Sequence, residues 1–194
     1  MELFYKMLKI PEGRTGVLIG TGGLVKNEIE CKCNVVIEID SQASEVKVMP
    51  ISIRGFDEKS LKAIEIIQAI LHGFTPSTAF RLMEEDISLL VIDLLSHSTK
   101  SSGSIGRKKG RIIGANGKAR KTIEDLSGAS ISVHNNTVSF VGGYEEITVA
   151  RNAVMMLLQG RPHRTVYQML QNARRKAKLD KMKLWEDINS KFTE

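Results

Sequence analysis

Aromatic residues make up only 5% of this 194-residue chain, and cysteines number two. So few rings weigh against a surface that grips its ligand mainly by stacking, as RRM and OB-type sheets do. Cys31 and Cys33 form a C-x-C pair whose side chains diverge on a helix. No second pair completes a zinc site, and His72, His97, His134 and His163 are dispersed, so no metal or other cofactor is expected. No window of about 18 apolar residues offers a membrane span. The start, MELFYKMLKI, lacks the basic n-region and long apolar run of a signal peptide. The expected location is cytoplasmic.

Acid is missing from one stretch in particular. Residues 100–121 hold eight Lys/Arg and no Asp or Glu. The two halves differ as well: residues 1–99 hold 10 Lys/Arg against 14 Asp/Glu, and residues 100–194 hold 18 against 8. A basic block in a chain that is acidic elsewhere is the footprint of a polyanion partner. Hydrophobic residues make up 42% of the chain, enough for real cores.

What the chain does contain is itself, twice. A shift of 94 lays GVLIGTGGLVKNEIECKCNVVI on GRIIGANGKARKTIEDLSGASI, with seven of 22 positions identical. Further on, a shift of 87 aligns ISIRGFDEKSLKAIEIIQAILHG with VSFVGGYEEITVARNAVMMLLQG. The seven-residue difference is expected as a longer loop around Asp40–Pro50. Each copy reads β-α-α-β-β-α: an apolar strand (3–9; 87–95), a short helix (12–19; about 105–113) ending at a glycine loop, and a second helix. Two strands (35–40 and 46–53; 129–134 and 137–141) and a long amphipathic helix (57–72; 144–159) complete it. The fold class is α+β, with one repeat over 1–85, a second over 86–161, and a basic helical extension over 162–194.

The glycine loops decide the chemistry. A dinucleotide fingerprint fails because Val25 stands where the third glycine belongs and a helix precedes the loop. A P-loop fails because Ile112 replaces its first glycine and Ala119 its magnesium-binding hydroxyl. A helix–G-x-x-G–helix element fits. Glycine lets the backbone touch a sugar–phosphate strand. The helix that follows presents free N–H groups and its positive dipole end to a phosphate. That is the KH design, which clamps about four nucleotides of single strand.

GRIIGANGKARKTIE closely resembles the KH signature, and the helix-last order is that of type I. The longer stretch through QGRPHRTVY resembles the second KH repeat of the archaeal relatives of partner-of-Nob, the Krr-like pre-ribosomal RNA factors. The resemblance implies two tandem type I KH domains and binding to single-stranded small-subunit rRNA near its 3′ end during maturation. It also implies association with the Nob-type endonuclease, the dimethyladenosine methyltransferase and the alpha subunit of initiation factor two. By the same resemblance Gly114, Ala115, Asn116 and Gly117 form the RNA loop, preceded by Ile112 and Ile113 and followed by Lys118, Arg120 and Lys121. Arg107, Lys108, Lys109 and Arg111 lie on or near the first helix, either against phosphates or as a solvated face. Ile131 and Val133 either line the base groove or are plain core.

The first repeat keeps Gly20, Thr21, Gly22 and Gly23, but Leu24 stands where the second has Lys118, and Glu28 and Glu30 dot the next helix. Arg14 and Lys26 are its nearby cations. It is either a weak RNA site or, the preferred reading, a scaffold and protein-docking face. In the extension, Arg174, Arg175, Lys176 and Lys178 form a basic stretch, and Trp185, Ile188 and Phe192 an apolar stripe, for intramolecular docking or a partner. Three function classes stand: a non-enzymatic assembly factor, a general KH regulator of translation, and an RNA-processing enzyme that uses KH modules as grip. The enzyme reading is disfavoured, since outside the repeats only the extension is left for catalytic groups and it holds no plausible cluster.

Overall fold

The computed structural model describes residues 4–52, 55–96 and 102–191, with the backbone alone at 102–104, 181 and 184–191. The elements follow the expected order twice. The first repeat runs β1 Lys6–Lys9, α1 Thr15–Ile19, α2 Leu24–Cys33, β2 Val35–Asp40, β3 Glu45–Pro50 and α3 Glu58–Leu71. A short α4, Pro76–Phe80, begins with Thr75 capping and proline in the first turn. The second repeat runs β4 Ile87–Asp93, α5 Ser102–Ile113, α6 Lys118–Ser127, β5 Ser130–His134, β6 Thr137–Gly143 and α7 Tyr144–Leu158, and α8 His163–Lys191 follows. The sheets have equivalent orders, β1-β3-β2 and β4-β6-β5. In the first, β3 is central and antiparallel to both neighbours, with Val48 opposite Lys6 and Ile37.

Local chemistry sets the ends. The Asp57 carboxylate accepts from Ser60 N at 2.8 Å and starts α3. Left-handed Asn34 closes α2, and Gly128 closes α6. The extra length of the first repeat is not confined to Asp40–Pro50. Part lies in the hairpin turn, residues 41–44 against Asn135–Asn136 in the second repeat. The rest lies in residues 51–57, where the second repeat passes directly from β6 into α7.

The chain forms two compact units: Met1–Ile92 with Ser132–Val141, and Asp93–Ile131 with Gly142–Glu194. Compactness therefore divides it differently from the repeat, because most of the second repeat's strand residues belong to unit one. The core of unit one gathers Leu18, Ile29, Ile37, Val46, Val48, Ile66, Ile70 and Leu82, and Val141 of β6 joins it. Polar ties accompany that packing. Ser132 Oγ donates to the His72 carbonyl at 2.8 Å, and His72 Nδ1 lies 3.1 Å from Thr137 Oγ1. Cys33 is buried with Sγ 3.7 Å from Met83 Sδ, while Cys31 is exposed, so the C-x-C side chains do diverge.

Unit two is helical. α5, α6 and α7 pack on one another, and α8 packs on α6 and α7. Its interior includes Ile105, Ile112, Ala119, Ile123, Ala150, Val154, Leu157, Val166 and Leu170. The apolar stripe read in the extension lies outside the described residues, as Phe192 is beyond them and Trp185 and Ile188 are described by backbone alone.

Candidate nucleic-acid interface

The two loops share one backbone. Gly114 has φ 72°, ψ −178°, and Gly20 has φ 73°, ψ 175°, a region essentially reserved for glycine. A Cβ at Gly114 would stand 2.6 Å from Ala119 Cβ and 2.9 Å from Ala119 N. One at Gly20 would meet Val25, the equivalent residue, at 2.5 and 2.9 Å. Asn116 is left-handed at φ 51°, as Gly22 is at φ 61°, and asparagine accepts that conformation at low cost. Gly117 and Gly23 then open α6 and α2 with no side-chain cap and no acid in the first turn. Each loop thus offers exposed backbone beside a helix N-terminus, where the first N–H of the helix, at Lys118 or Leu24, turns back to the carbonyl of Ala115 or Thr21.

Charge, not geometry, separates the loops. In the second repeat Ala115, Asn116, Lys118 and Lys121 are exposed, as is Arg107, while Lys108 and Lys109 are half-buried. In the first, Lys118 is replaced by Leu24, 69% exposed. The two cations near that loop have local duties. Arg14 Nη2 reaches the Phe74 carbonyl at 3.4 Å, and burial lowers its pKa from the usual guanidinium value. Lys26 pairs with Glu30 at 3.7 Å.

Several expected site residues turn out to build the fold. Ile112 and Ile131 are buried: Ile112 shares an inward stripe of α5 with Ile105, two turns earlier, and neither Ile112 nor Ile131 presents its side chain to an incoming strand. Ile113 is half-buried, as is Val133, which belongs to unit one. Arg120 Nη1 donates to the Ile131 carbonyl at 3.2 Å and its Nε lies 3.8 Å from Glu124. Glu124 in turn accepts from Ile131 N at 2.7 Å. The first repeat has the same tie, with Glu30 accepting from Ile37 N at 2.7 Å. Glu30 is therefore a strand anchor common to both repeats, not a mark of divergence. Arg111 Nη2 donates to the Arg161 carbonyl at 2.7 Å, and His163 Nε2 lies 2.9 Å from the Arg111 carbonyl. Sequence reasoning missed this tie between the loop's helix and the start of α8, and its only signal was the shared motif running on through QGRPHRTVY.

Among the described residues no group of three or more His, Cys, Asp or Glu is arranged to hold a metal. What the site offers chemically is an anion cradle: backbone N–H groups, exposed lysines, and no acid in the loop.

Comparison with known proteins finds a KH domain in each repeat. Residues 88–175 match the eukaryotic-type KH domain, KH-domain type I, and residues 5–69 match the KH domain. A KH domain-containing protein of Methanocaldococcus jannaschii is 41% identical over 93% of this chain and 79% of its own length. The pre-rRNA-processing protein pno1 of Schizosaccharomyces pombe is 30% identical over 60% of this chain and 49% of its own. A solved complex of a/eIF2alpha, aDim2p and rRNA from Pyrococcus horikoshii superposes with TM-score 0.80 at 38% identity, covering 89% of this chain and 94% of that one. Two KH matches, two glycine loops of one geometry and similarity over nearly the whole length place the chain in the tandem type I KH family of the archaeal Dim2-like and eukaryotic Pno1 proteins.

Proposed function

We propose that this protein is a non-enzymatic RNA-binding factor of ribosome assembly, which holds single-stranded small-subunit rRNA near its 3′ end through Gly114–Gly117 while the rRNA matures. The observation that carries the reading is the loop pair: one backbone geometry, with Lys118 exposed in the second repeat where the first has Leu24. Lys118 and Lys121 supply charge beside the N–H groups of α6, and Lys109, Arg107 and Lys108 extend it along α5. The printed names of the relatives, pre-rRNA processing in one and an rRNA complex in another, support rRNA as the polyanion. The same complex supports the alpha subunit of initiation factor two as a protein partner. Association with a Nob-type endonuclease and a dimethyladenosine methyltransferase, and a cytoplasmic location beside assembling subunits, complete the proposal. In it the first repeat serves as scaffold and protein-docking face.

Competition binding tests it. A single strand from the 3′ region of small-subunit rRNA should displace labelled RNA far better than the same sequence as a duplex, because KH loops take unpaired strands. It should also outcompete a scrambled strand, which a general regulator of translation would bind equally well. Preference for the duplex would refute the proposal.

A further inference from the structure

Unit two carries a second concentration of positive charge. Val166 and Leu170, both fully buried, belong to the part of α8 that packs on α6 and α7. From Arg174 to Asp180 every residue is exposed. Here α8 and the end of α6 enclose an open groove of about 380 Å³, lined by Leu126, Gln171, Arg174, Arg175 and Lys178. Among the described residues that line it none is acidic, and Asp125 and Asp180 lie outside the lining. Gln171, Arg174, Arg175 and Lys178 fall at i, i+3, i+4 and i+7, one face of the helix.

That arrangement works against the helix. Like charges at i and i+4, as in Arg174 and Lys178, destabilise an isolated helix by about 0.2–0.5 kcal/mol per pair. Positions facing a neighbouring helix ordinarily continue the apolar seam. An incoming anion reverses the sign, and two guanidinium forks suit phosphate oxygens. The lining has no aromatic ring to stack a base and only one amide, so it is fitted to a nucleic-acid backbone rather than to a sequence.

We propose that this groove is a second phosphate-binding site, which holds the single-stranded RNA flanking the nucleotides at Gly114–Gly117. The inference rests on the RNA reading above. One helix joins the two places: α6 begins at Lys118, and at 1.5 Å per residue Leu126 lies about 12 Å further along its axis. Two weak sites on one strand bind as a linked pair, so the flank adds affinity without adding specificity.

The test uses the full chain and two strands: a short one of about four to six nucleotides, enough for the loop, and the same strand extended by about ten uridines. Wild type should bind the extended strand at least tenfold more tightly. The combined variant Arg174→Ala, Arg175→Ala, Lys178→Ala should lose that gain, bind the short strand as before, and keep or slightly raise its thermal midpoint, since the like-charge repulsion is gone. Its salt slope on the extended strand should flatten by about 2, from about 0.7 per lost contact. Replacing both arginines by lysine should restore most of the gain, and polyglutamate should not displace the flank. A triple variant that binds the extended strand like wild type overturns the groove, as does equal loss on both strands or displacement by polyglutamate. Ala115→Asp separates the two readings: if it leaves short-strand binding intact, the loop reading fails instead.

Discussion

At Gly114 and Gly20 the fold tolerates no side chain, because a Cβ would press on the backbone nitrogen of Ala119 or Val25. Gly114→Ala should therefore cost about 1–3 kcal/mol, and Gly20→Ala about the same, read as paired drops in thermal unfolding midpoint. A much smaller loss at Gly20 would mean that the first loop is not held in the same shape. The cations divide differently. Lys118 is exposed, so Lys118→Ala should weaken RNA binding, flatten the salt slope by about 0.7 and spare stability. Arg120 is tied to the Ile131 carbonyl and Glu124, so Arg120→Ala should cost about 1 kcal/mol of stability whether or not RNA is present. Salt-dependent binding set beside thermal denaturation separates the two roles.

Among the elements, α3, β5 and β6 show where long-range contact overrides reading along the chain. Thr137 Oγ1 donates to the His134 carbonyl at 3.0 Å, so its oxygen accepts from His72, which places the proton of His72 on Nδ1. Burial first, and His134 second, lower the His72 pKa below its ordinary 6.5. The unfolded chain thus takes up more protons than the fold as pH drops below 6.5. Stability is then full above that pH and declines as pH falls towards the lowered pKa. Arg14, whose guanidinium meets the carbonyl of Phe74, adds positive charge near the same helix end. Thermal midpoints between about pH 7.5 and 5.5, spanning the ordinary histidine pKa, should fall for wild type and fall less for His72→Asn. Equal falls would take His72 out of the acid response. None of this was legible in the sequence, because His72 and Thr137 are 65 residues apart. What the sequence did disclose was local or periodic: the order of the elements, the glycine loops, and a helical extension from 162; the Asp57 cap of α3 was not among them.

For the whole molecule, self-similarity exposed two repeats, while three-dimensional packing assigns most of the second repeat's strand residues to unit one. The candidate loop was legible because glycine spacing is a backbone requirement written in residue identity. The duties of Arg111, Arg120 and Glu30 were not, since a charged residue in a sequence does not show which carbonyl or amide it meets. Both repeats keep the loop and the glutamate anchor, and they differ in the charge around the loop, so charge should decide which of them holds RNA. Thr21 and Ala115 occupy equivalent, exposed positions, which makes a matched pair of substitutions possible. Titration of a single-stranded rRNA fragment into Thr21→Asp and Ala115→Asp puts the same negative charge against each loop in turn. The account predicts at least a tenfold loss for Ala115→Asp, about 1.4 kcal/mol, and little change for Thr21→Asp, with both proteins folded. Equal losses from the two substitutions would contradict it.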